Sequence, residues 1–346
     1  MAQVTTSHIE KIEGNYNLAN YETVRENFDW ADAKKLLAAA KTGKINAAYE
    51  TIDRHVDDGY GDKIALHYIN EDEKKSYTFQ QVKDKTDHYA RILKEQGVKK
   101  GGDRVFIFLP KTPECYIAIL AAIKVGAIAG PLFEAFMEDA IRDRINDCQG
   151  TLLITDQELV KRVPQQDIPT LKTILFVEDI EQQPLQPVDG DPFVEWVDWE
   201  DGLIIHYTSG STGKPKGVLH AHRAVQHHIV TGKWVLDIKE DDVYWCTSHP
   251  GWVTGSVYGL FAPLLNRATV VIQGGRFSAE NWYSLIEELG VTIWYSAPTA
   301  FRMLLSKGDL YKDYDLSSIR HVLSVGEPPQ PRSNPMGMES FRCTNS

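Results

Sequence analysis

The sequence has few cysteines, no long hydrophobic run and no excess of positive charge. Its four cysteines stand at positions 115, 148, 246 and 343 of 346 residues. They are too few and too scattered for a disulfide scaffold or a zinc site, so we expect a reducing compartment. Lysine and arginine total 37 against 48 aspartates and glutamates, a net charge of −11. This balance excludes a general electrostatic surface for nucleic acid but leaves room for a local nucleotide pocket.

The most apolar stretch, residues 116–133, is too interrupted to be a membrane span. Lys124, two glycines and Pro131 break it, whereas a span needs about 20 consecutive apolar residues. The first eight residues, Met-Ala-Gln-Val-Thr-Thr-Ser-His, carry no apolar signal segment. We therefore predict a soluble, cytoplasmic protein with neither a membrane nor a nucleic acid as partner.

Apolar strands alternate with amphipathic helices through most of the chain. The continuous apolar run 104–109 predicts a strand that is covered on both faces. Thr112-Pro113-Glu114 predicts the start of the next helix, because proline favours the first helical position. Predicted strands lie at 104–109, 127–133, 151–155, 173–177, 203–207, 243–247, 268–272, 291–295 and 321–325. This alternation predicts an α/β fold with layered, mainly parallel sheets and helices on both faces.

The pattern also predicts where the chain divides. Residues 1–60 are predicted to form a helical extension, and residues 61–327 an α/β body with subdomains at about 61–235 and 236–327. Residues 328–346 have four prolines among their first eight residues and no periodicity, so a disordered tail is predicted there. Within the body, charged residues between two apolar runs predict a hairpin over residues 64–79.

Residues 207–217, Tyr-Thr-Ser-Gly-Ser-Thr-Gly-Lys-Pro-Lys-Gly, form the most informative segment. Glycines let backbone N–H groups turn toward an anion, hydroxyls add donors, and lysines offset phosphate charge. A helix predicted at about 221–235 would add the field of its N-terminus. A mobile surface linker has a similar composition, but the position directly after a buried strand favours a polyphosphate site.

Two other kinds of site are disfavoured. The segment is not a Walker P-loop, since Lys214 is followed by Pro215 rather than by serine or threonine. Four nearby histidines lack a cysteine or acidic residue at metal-ligand spacing, so we predict solvated or capping roles and no metal site. These are His220, His222, His227 and His228.

The phosphate segment resembles the signature loop of the adenylate-forming superfamily, and further segments resemble its acetyl-CoA synthetase branch. They include Pro-Leu-Phe-Glu-Ala-Phe at 131–136, Gly-Trp-Val-Thr-Gly at 251–255 and Leu-Ser-Val-Gly-Glu-Pro at 323–328. The segments 244–247 and 294–302 and the early Glu-Gly-Asn-Tyr-Asn at 13–17 are similar as well. The resemblance spans about residue 10 to residue 328.

This resemblance implies that acetate attacks ATP to give acetyl-AMP, from which the thiol of coenzyme A displaces AMP, with Mg²⁺ assisting and no tightly bound cofactor. It implies that one loop binds the ATP phosphates and that Lys216 in this loop is a mobile catalytic charge. It also implies that Trp252 and the two residues after it form an acetate pocket, and that Ala297 contacts coenzyme A. The phosphate-binding residues implied are Thr208, Ser209, Gly210, Ser211, Thr212, Gly213, Lys214, Lys216 and Gly217. The acetate pocket implied is Trp252, Val253 and Thr254, and the adenine segment is Gly326, Glu327 and Pro328.

The sequence also departs from that family. His249 stands where the family usually has aspartate, which exchanges a fixed negative charge for a titratable ring. No further nucleotide segment, hinge or C-terminal lid domain with its catalytic lysine follows residue 328, so the resemblance implies an incomplete large N-terminal domain. We expect acetate–CoA ligase as the parent activity and an inactive truncated chain. A non-catalytic nucleotide-binding fragment, a related short- or medium-chain acyl-CoA ligase, and an interaction protein with an exposed sheet edge stay open.

Overall fold

The computed structural model describes residues 14–186, 188, 190–208 and 215–327. Within these ranges the predicted α/β fold is confirmed: two six-stranded sheets pack with helices. The predicted tail at 328–346 lies outside the described residues.

The strands and helices follow the predicted alternation closely. The strands are β1 (Ile64–Ile69), β2 (Lys74–Thr78), β3 (Arg104–Phe108), β4 (Ile128–Leu132), β5 (Leu152–Thr155), β6 (Thr173–Phe176), β7 (Gly202–Thr208), β8 (Lys216–Ala221), β9 (Val243–Cys246), β10 (Thr269–Gln273), β11 (Ile293–Ser296) and β12 (His321–Ser324). The α-helices are α1 (Tyr21–Asn27), α2 (Trp30–Lys34), α3 (Ala39–Thr42), α4 (Phe79–Glu95), α5 (Pro113–Lys124), α6 (Glu138–Asp147), α7 (Val177–Gln182), α8 (Ala224–Trp234), α9 (Val253–Ser256), α10 (Ala262–Leu265), α11 (Ala279–Leu289) and α12 (Pro298–Leu305). π-Helical turns lie at Tyr49–Asp53, Val56–Tyr60 and Val257–Phe261, and 3₁₀ turns at Leu159–Arg162, Gln165–Asp167 and Gly308–Asp313.

Each sheet is parallel except for one hairpin at its edge. The first sheet has the order β6-β5-β3-β4-β7-β8, and the second has the order β12-β11-β9-β10-β1-β2. Only the pairs β7–β8 and β1–β2 are antiparallel among the described strands. The carboxyl ends of neighbouring parallel strands therefore meet at one edge of each sheet, which is where ligands bind in open α/β folds.

Local signals that the sequence carries are present in the structure. Pro113 occupies the first turn of α5, whose residues Ile117 to Ile123 are all buried, so this helix is apolar on every face. Thr78 and Gln81 form a capping box at the start of α4. The predicted hairpin at 64–79 is confirmed by β1 and β2.

The residues after the phosphate segment form a strand, so the helix predicted from about 221 was placed too early. β8 pairs along its length with β7, and α8 begins only at Ala224. Gly217 faces Tyr207 in this pairing, and a Cβ there would lie 3.3 Å from the Tyr207 ring. The described ends of the segment therefore pair as the strands of a hairpin, and the strand β8 rather than a helix continues the chain after Lys216.

The N-terminal segment is largely helical and packs on the body. Ile45 and Ile52 are fully buried in the same core cluster as Leu66 of β1 and Val270 of β10. The boundary predicted at residue 60 and the two subdomains stay predictions. Among the described residues, the structure has no helix with both the length and the apolar character that crossing a membrane requires.

A buried ionic network ties this segment to two helices of the body. Lys124, at the end of α5, is fully buried, and its Nζ lies 2.7 Å from Oδ1 of both Asp53 and Asp87. Lys83 of α4 adds a second cation, 2.9 Å from Oδ2 of Asp87. Burial raises the pKa of Asp53 to about 6. The network holds because each buried charge has an opposite partner.

Replacing the central lysine should destabilise the fold strongly. Lys124→Met leaves Asp53 and Asp87 buried without the cation between them, and we expect the free energy of unfolding to fall by about 3–5 kcal/mol. Lys44→Met is the matched control, because Lys44 pairs with Asp198 at the surface and such pairs contribute only about 0–1 kcal/mol. Urea unfolding measures both; equal losses would contradict the prediction.

Candidate active site

The predicted site residues lie at the carboxyl ends of strands from both sheets. Thr208 ends β7, Trp252 lies in the loop after β9, and Ala297 directly follows β11. Glu327 lies three residues after β12. Within each sheet, the topology therefore places residues that are far apart in the sequence at the edge where a ligand is expected.

Trp252 belongs to an aromatic group that joins the two sheets. Its ring centroid lies 5.5 Å from that of Phe133 and 5.9 Å from that of Phe136, both of which follow β4. Trp252 and Val253 remain 43% and 47% exposed, so they present an open apolar face, with Thr254 half-buried beside them. An exposed aromatic face of this kind can contact the apolar part of a ligand.

Gly251 allows this close approach of the two sheets. A Cβ at this position would lie 2.5 Å from the backbone nitrogen of Phe133, a distance that no side chain can occupy. Glycine is thus required where the loop after β9 crosses the end of β4.

His249 is buried and both of its ring nitrogens are hydrogen-bonded. The backbone N–H of Gly251 donates to Nδ1 at 2.9 Å, so Nε2 carries the proton and donates to the carbonyl of Leu109 at 3.1 Å. Burial lowers the pKa of His249 to about 4. The ring is therefore neutral at physiological pH and fixes the loop by its two hydrogen bonds.

Lys111, which was not among the predicted site residues, lies at the same carboxyl edge of the first sheet. It lies in the loop after β3, is 7% exposed, and its Nζ donates to the carbonyl of Cys246 at 2.7 Å. Burial lowers the pKa of Lys111 to about 8. The signal in the sequence was a lysine between two prolines directly after an apolar strand, at the carboxyl end where polar side chains serve function.

The described ends of the phosphate loop face each other across the β7–β8 hairpin. Thr208 pairs with Lys216, and both are exposed, while Gly217 pairs with Tyr207. On the same strand, His206 Nε2 lies 2.8 Å from Oγ of Ser256, four residues after Trp252. The end of β7 that leads into the loop is thus held next to the Trp252 segment. Its remaining predicted residues, Ser209, Gly210, Ser211, Thr212, Gly213 and Lys214, lie outside the described residues.

The described part of the predicted adenine segment rests on the start of α12. Glu327 accepts hydrogen bonds from the backbone N–H of Thr299 at 3.1 Å and from Arg302 at 2.9 Å, and the Thr299 hydroxyl adds another. The hydrogen bonds from Thr299, followed by those from Arg302, lower the pKa of this carboxyl. Gly326 has a φ of +94°, which favours glycine, and Pro328 lies outside the described residues.

Ala297 lies at the same end of the second sheet. It is the half-buried residue just before α12, and its carbonyl accepts from the N–H of Ala300 at 3.0 Å. Beside it, the hydroxyls of Thr247 and Ser296 lie 2.6 Å apart and join β9 to β11. Ala297 is therefore held in place by backbone hydrogen bonding.

Of the four clustered histidines, His222 and His228 are buried and His220 is half-buried, whereas His227 is exposed. His228 packs against Phe261 with ring centroids 5.7 Å apart, and burial lowers its pKa to about 3, so the solvated role was wrong there. His222 is fully buried and accepts the N–H of Ala47 at 3.1 Å, which is a capping role. Within the described ranges, no three histidine, cysteine or acidic side chains group together to hold a metal ion.

The buried neutral histidines predict a steep loss of stability in mild acid. The pKa of His249 is lowered to about 4, whereas an unfolded histidine titrates near pH ~6.5. Its contribution is therefore fully present above pH ~6.5 and is lost as the pH falls toward 4, because only the unfolded state takes up the proton.

His249→Gln should make the unfolding free energy less dependent on pH. Between pH 6 and pH 5 we expect the variant to lose about 1 kcal/mol less than the unmodified protein. Urea unfolding at the two pH values measures this difference. His227→Gln, at an exposed ring, is the control; a reduction of the same size there would refute the assignment to burial.

The comparisons with known proteins agree with this arrangement. The model of the family described as AMP-binding enzyme matches residues 53–334. The chain is 50% identical over 340 residues to the acetyl-coenzyme A synthetase of Bacillus subtilis (strain 168), covering 95% of this chain but 59% of that protein. It is 39% identical to the acetyl-coenzyme A synthetase of Rubrobacter xylanophilus, covering 84% of this chain and 50% of that protein.

A solved structure gives the same result for the fold. The acyl-CoA synthetase of Brucella canis superposes with a TM-score of 0.79 at 28% identity, over 92% of this chain and 59% of that chain. The chain thus spans between half and three fifths of the length of these relatives.

Proposed function

Because the chain belongs to the AMP-binding enzyme family, we propose that it carries the acetate-activating part of an acetate–CoA ligase. The observation that supports this most directly is the contact between two segments: the β7 strand that leads into the phosphate loop lies against the segment that carries Trp252. An anion-binding loop beside an apolar face suits a small carboxylate that reacts with a nucleotide.

The proposed reaction has two steps. A carboxylate oxygen of acetate attacks the α-phosphorus of ATP, and the bond to the bridging oxygen breaks, so that acetyl-AMP forms and pyrophosphate leaves. The sulfur of coenzyme A then attacks the acetyl carbonyl, the thiol proton is lost, and AMP leaves with the electrons of the broken bond. Mg²⁺ enters with ATP and offsets phosphate charge.

Each predicted residue has a proposed role in this reaction. The loop from Thr208 to Gly217 holds the β- and γ-phosphates through backbone N–H groups and hydroxyls, and the exposed Lys216 adds a cation that can move with them. The segment Gly326 to Pro328 contacts the adenine. Ala297 borders the path by which the thiol of coenzyme A reaches the acetyl group.

Trp252, Val253 and Thr254 are proposed to contact the acetyl group. Trp252 packs on Phe133 and Phe136, so its indole is braced and occupies space that a longer acyl chain would need. Exclusion by a rigid ring discriminates more strongly than the loss of a contact, which is worth about 1–3 kcal/mol per methylene.

ATP binding by the chain is the first test. Titration calorimetry should detect ATP binding, and Lys216→Met should weaken it about tenfold, since the loss of one phosphate contact costs on the order of 1.4 kcal/mol. Lys41→Met, at another exposed lysine, should leave the affinity unchanged. Absence of ATP binding would reject the proposal and favour an interaction protein.

Acetate-dependent exchange between ATP and pyrophosphate separates catalysis from nucleotide binding alone. Exchange that requires acetate would support the ligase directly. ATP binding without exchange would identify the chain as a nucleotide-binding part that needs the remaining length of its relatives.

Acyl-chain selection tests the role of Trp252. In a version extended to the full length of the relatives, Trp252→Gly should lower the preference for acetate over butyrate by at least about tenfold in kcat/KM. Trp252→Phe keeps a ring against Phe133 and should retain the preference for acetate. An unchanged preference in the glycine variant would remove Trp252 from the acyl pocket.

A further inference from the structure

One buried hydrogen bond joins the strand before the phosphate loop to the segment that carries Trp252. His206 lies on β7, two residues before Thr208, and Ser256 ends the short helix α9 that follows Trp252. The His206 Nε2 and the Ser256 Oγ are 2.8 Å apart, and these residues are 4% and 0% exposed. The strand belongs to the first sheet and the segment follows β9 of the second, so the bond crosses between the sheets.

Ser256 also contacts the backbone of the Trp252 segment. Its Oγ lies 3.2 Å from the carbonyl of Val253 and 3.4 Å from that of Trp252, and its own N–H donates to the Trp252 carbonyl at 3.1 Å. The helix α9 has no side-chain hydrogen bond at its N-cap. The ring of His206 is therefore connected, through one hydroxyl, to the turn that orients the exposed indole.

A serine next to a histidine also suggests a nucleophile and its base, but the surroundings exclude that role. Ser256 is fully buried and cannot reach a substrate. Burial lowers the pKa of His206 to about 3, so the ring is a poor base at neutral pH. The nearest ring, His220 at 5.6 Å between centroids, adds no negative charge to activate it. The pair is suited to holding structure rather than to chemistry.

We propose that His206 and Ser256 are positioning residues that set the distance between the end of β7, which leads into the proposed phosphate loop, and the proposed acyl-binding segment. The inference deepens the proposed function and rests on it for its second test. In the proposed reaction, ATP has its β- and γ-phosphates at one segment, and the acetate that attacks its α-phosphorus lies at the other. Both must stay in register, because a displacement of about 1 Å can cost a hundredfold in rate.

Hydrogen–deuterium exchange tests the mechanical part of the proposal. His206→Leu should speed exchange of the backbone N–H groups of Gly251, Trp252 and Ser256 about tenfold, and His206→Gln, which restores a polar group, should recover most of the protection. If the leucine variant fails to fold, Ser256→Ala removes the same bond from the other side and should give the same acceleration.

A matched control separates this effect from general loss of stability. His222→Asn alters another fully buried histidine with one hydrogen bond, to Ala47, away from the segment. It should leave exchange of those three N–H groups unchanged. Equal acceleration in this control, or none in His206→Leu and Ser256→Ala, would overturn the proposal.

Binding of an acyl-adenylate mimic tests the functional part. Adenosine 5′-ethylphosphate places a two-carbon group next to the phosphate, and its affinity relative to AMP reports contact with the acyl segment. This ratio should fall about fivefold in His206→Leu and recover in His206→Gln, with AMP affinity unchanged. An unchanged ratio despite faster exchange would show a merely structural bond and reject the positioning role.

The two tests fail in distinguishable ways. If the unmodified chain binds neither AMP nor the ester, the proposed function fails, while the exchange experiment still decides whether the bond orders the segment. If both ligands bind and only the ratio is insensitive to position 206, the proposed function stands and the positioning role is rejected.

Discussion

Two buried hydrogen bonds between the sheets determine where the candidate site lies. Lys111, after β3, donates to the carbonyl of Cys246 at the end of β9, and His249, after β9, donates to the carbonyl of Leu109 after β3. Each sheet thus supplies a donor to the backbone of the other. Because these bonds join carboxyl ends, they hold together the strand ends next to which the proposed phosphate and acyl segments lie. Gly251 permits the contact by leaving no Cβ at the crossing.

Burial makes two histidines unreactive that look reactive in the sequence. In the sequence, His249 suggested a titratable charge in place of aspartate. In the structure its low pKa keeps the ring neutral, and its hydrogen bonds fix the loop after β9. His206 is likewise buried and neutral. Reactive groups need exposure and an activating neighbour, whereas these rings have a fixed partner and no access to solvent. Among the described residues, Lys216, Trp252 and Val253 stay exposed on the site face, so these side chains can meet a ligand.

The sequence predicted those parts of the fold that depend on local signals. β3, the start of α5 and the β1–β2 hairpin carry their own patterns of apolar, proline and charged residues, and all three were confirmed. β8 was missed because its stability comes from pairing with β7 rather than from its own residues. Lys111 and Ser256 were missed because their hydrogen-bond partners belong to the other sheet, and no local sequence pattern indicates such long-range contacts. The candidate site segments were predicted by resemblance, and the topology places each of them after the carboxyl end of a strand.

The ionic network around Lys124 bears on where this protein can be cut for study. The match to the family begins at Asp53, which suggests that position as a convenient start for a shorter recombinant version. However, Asn46 donates to the carbonyls of Ile123 and Lys124, the end of α5, and is itself fully buried. A version that starts at Asp53 would lack Asn46 and its neighbours, so water could reach Lys124 and the carboxylates of Asp53 and Asp87. A workable shorter version must therefore retain the preceding helical turns.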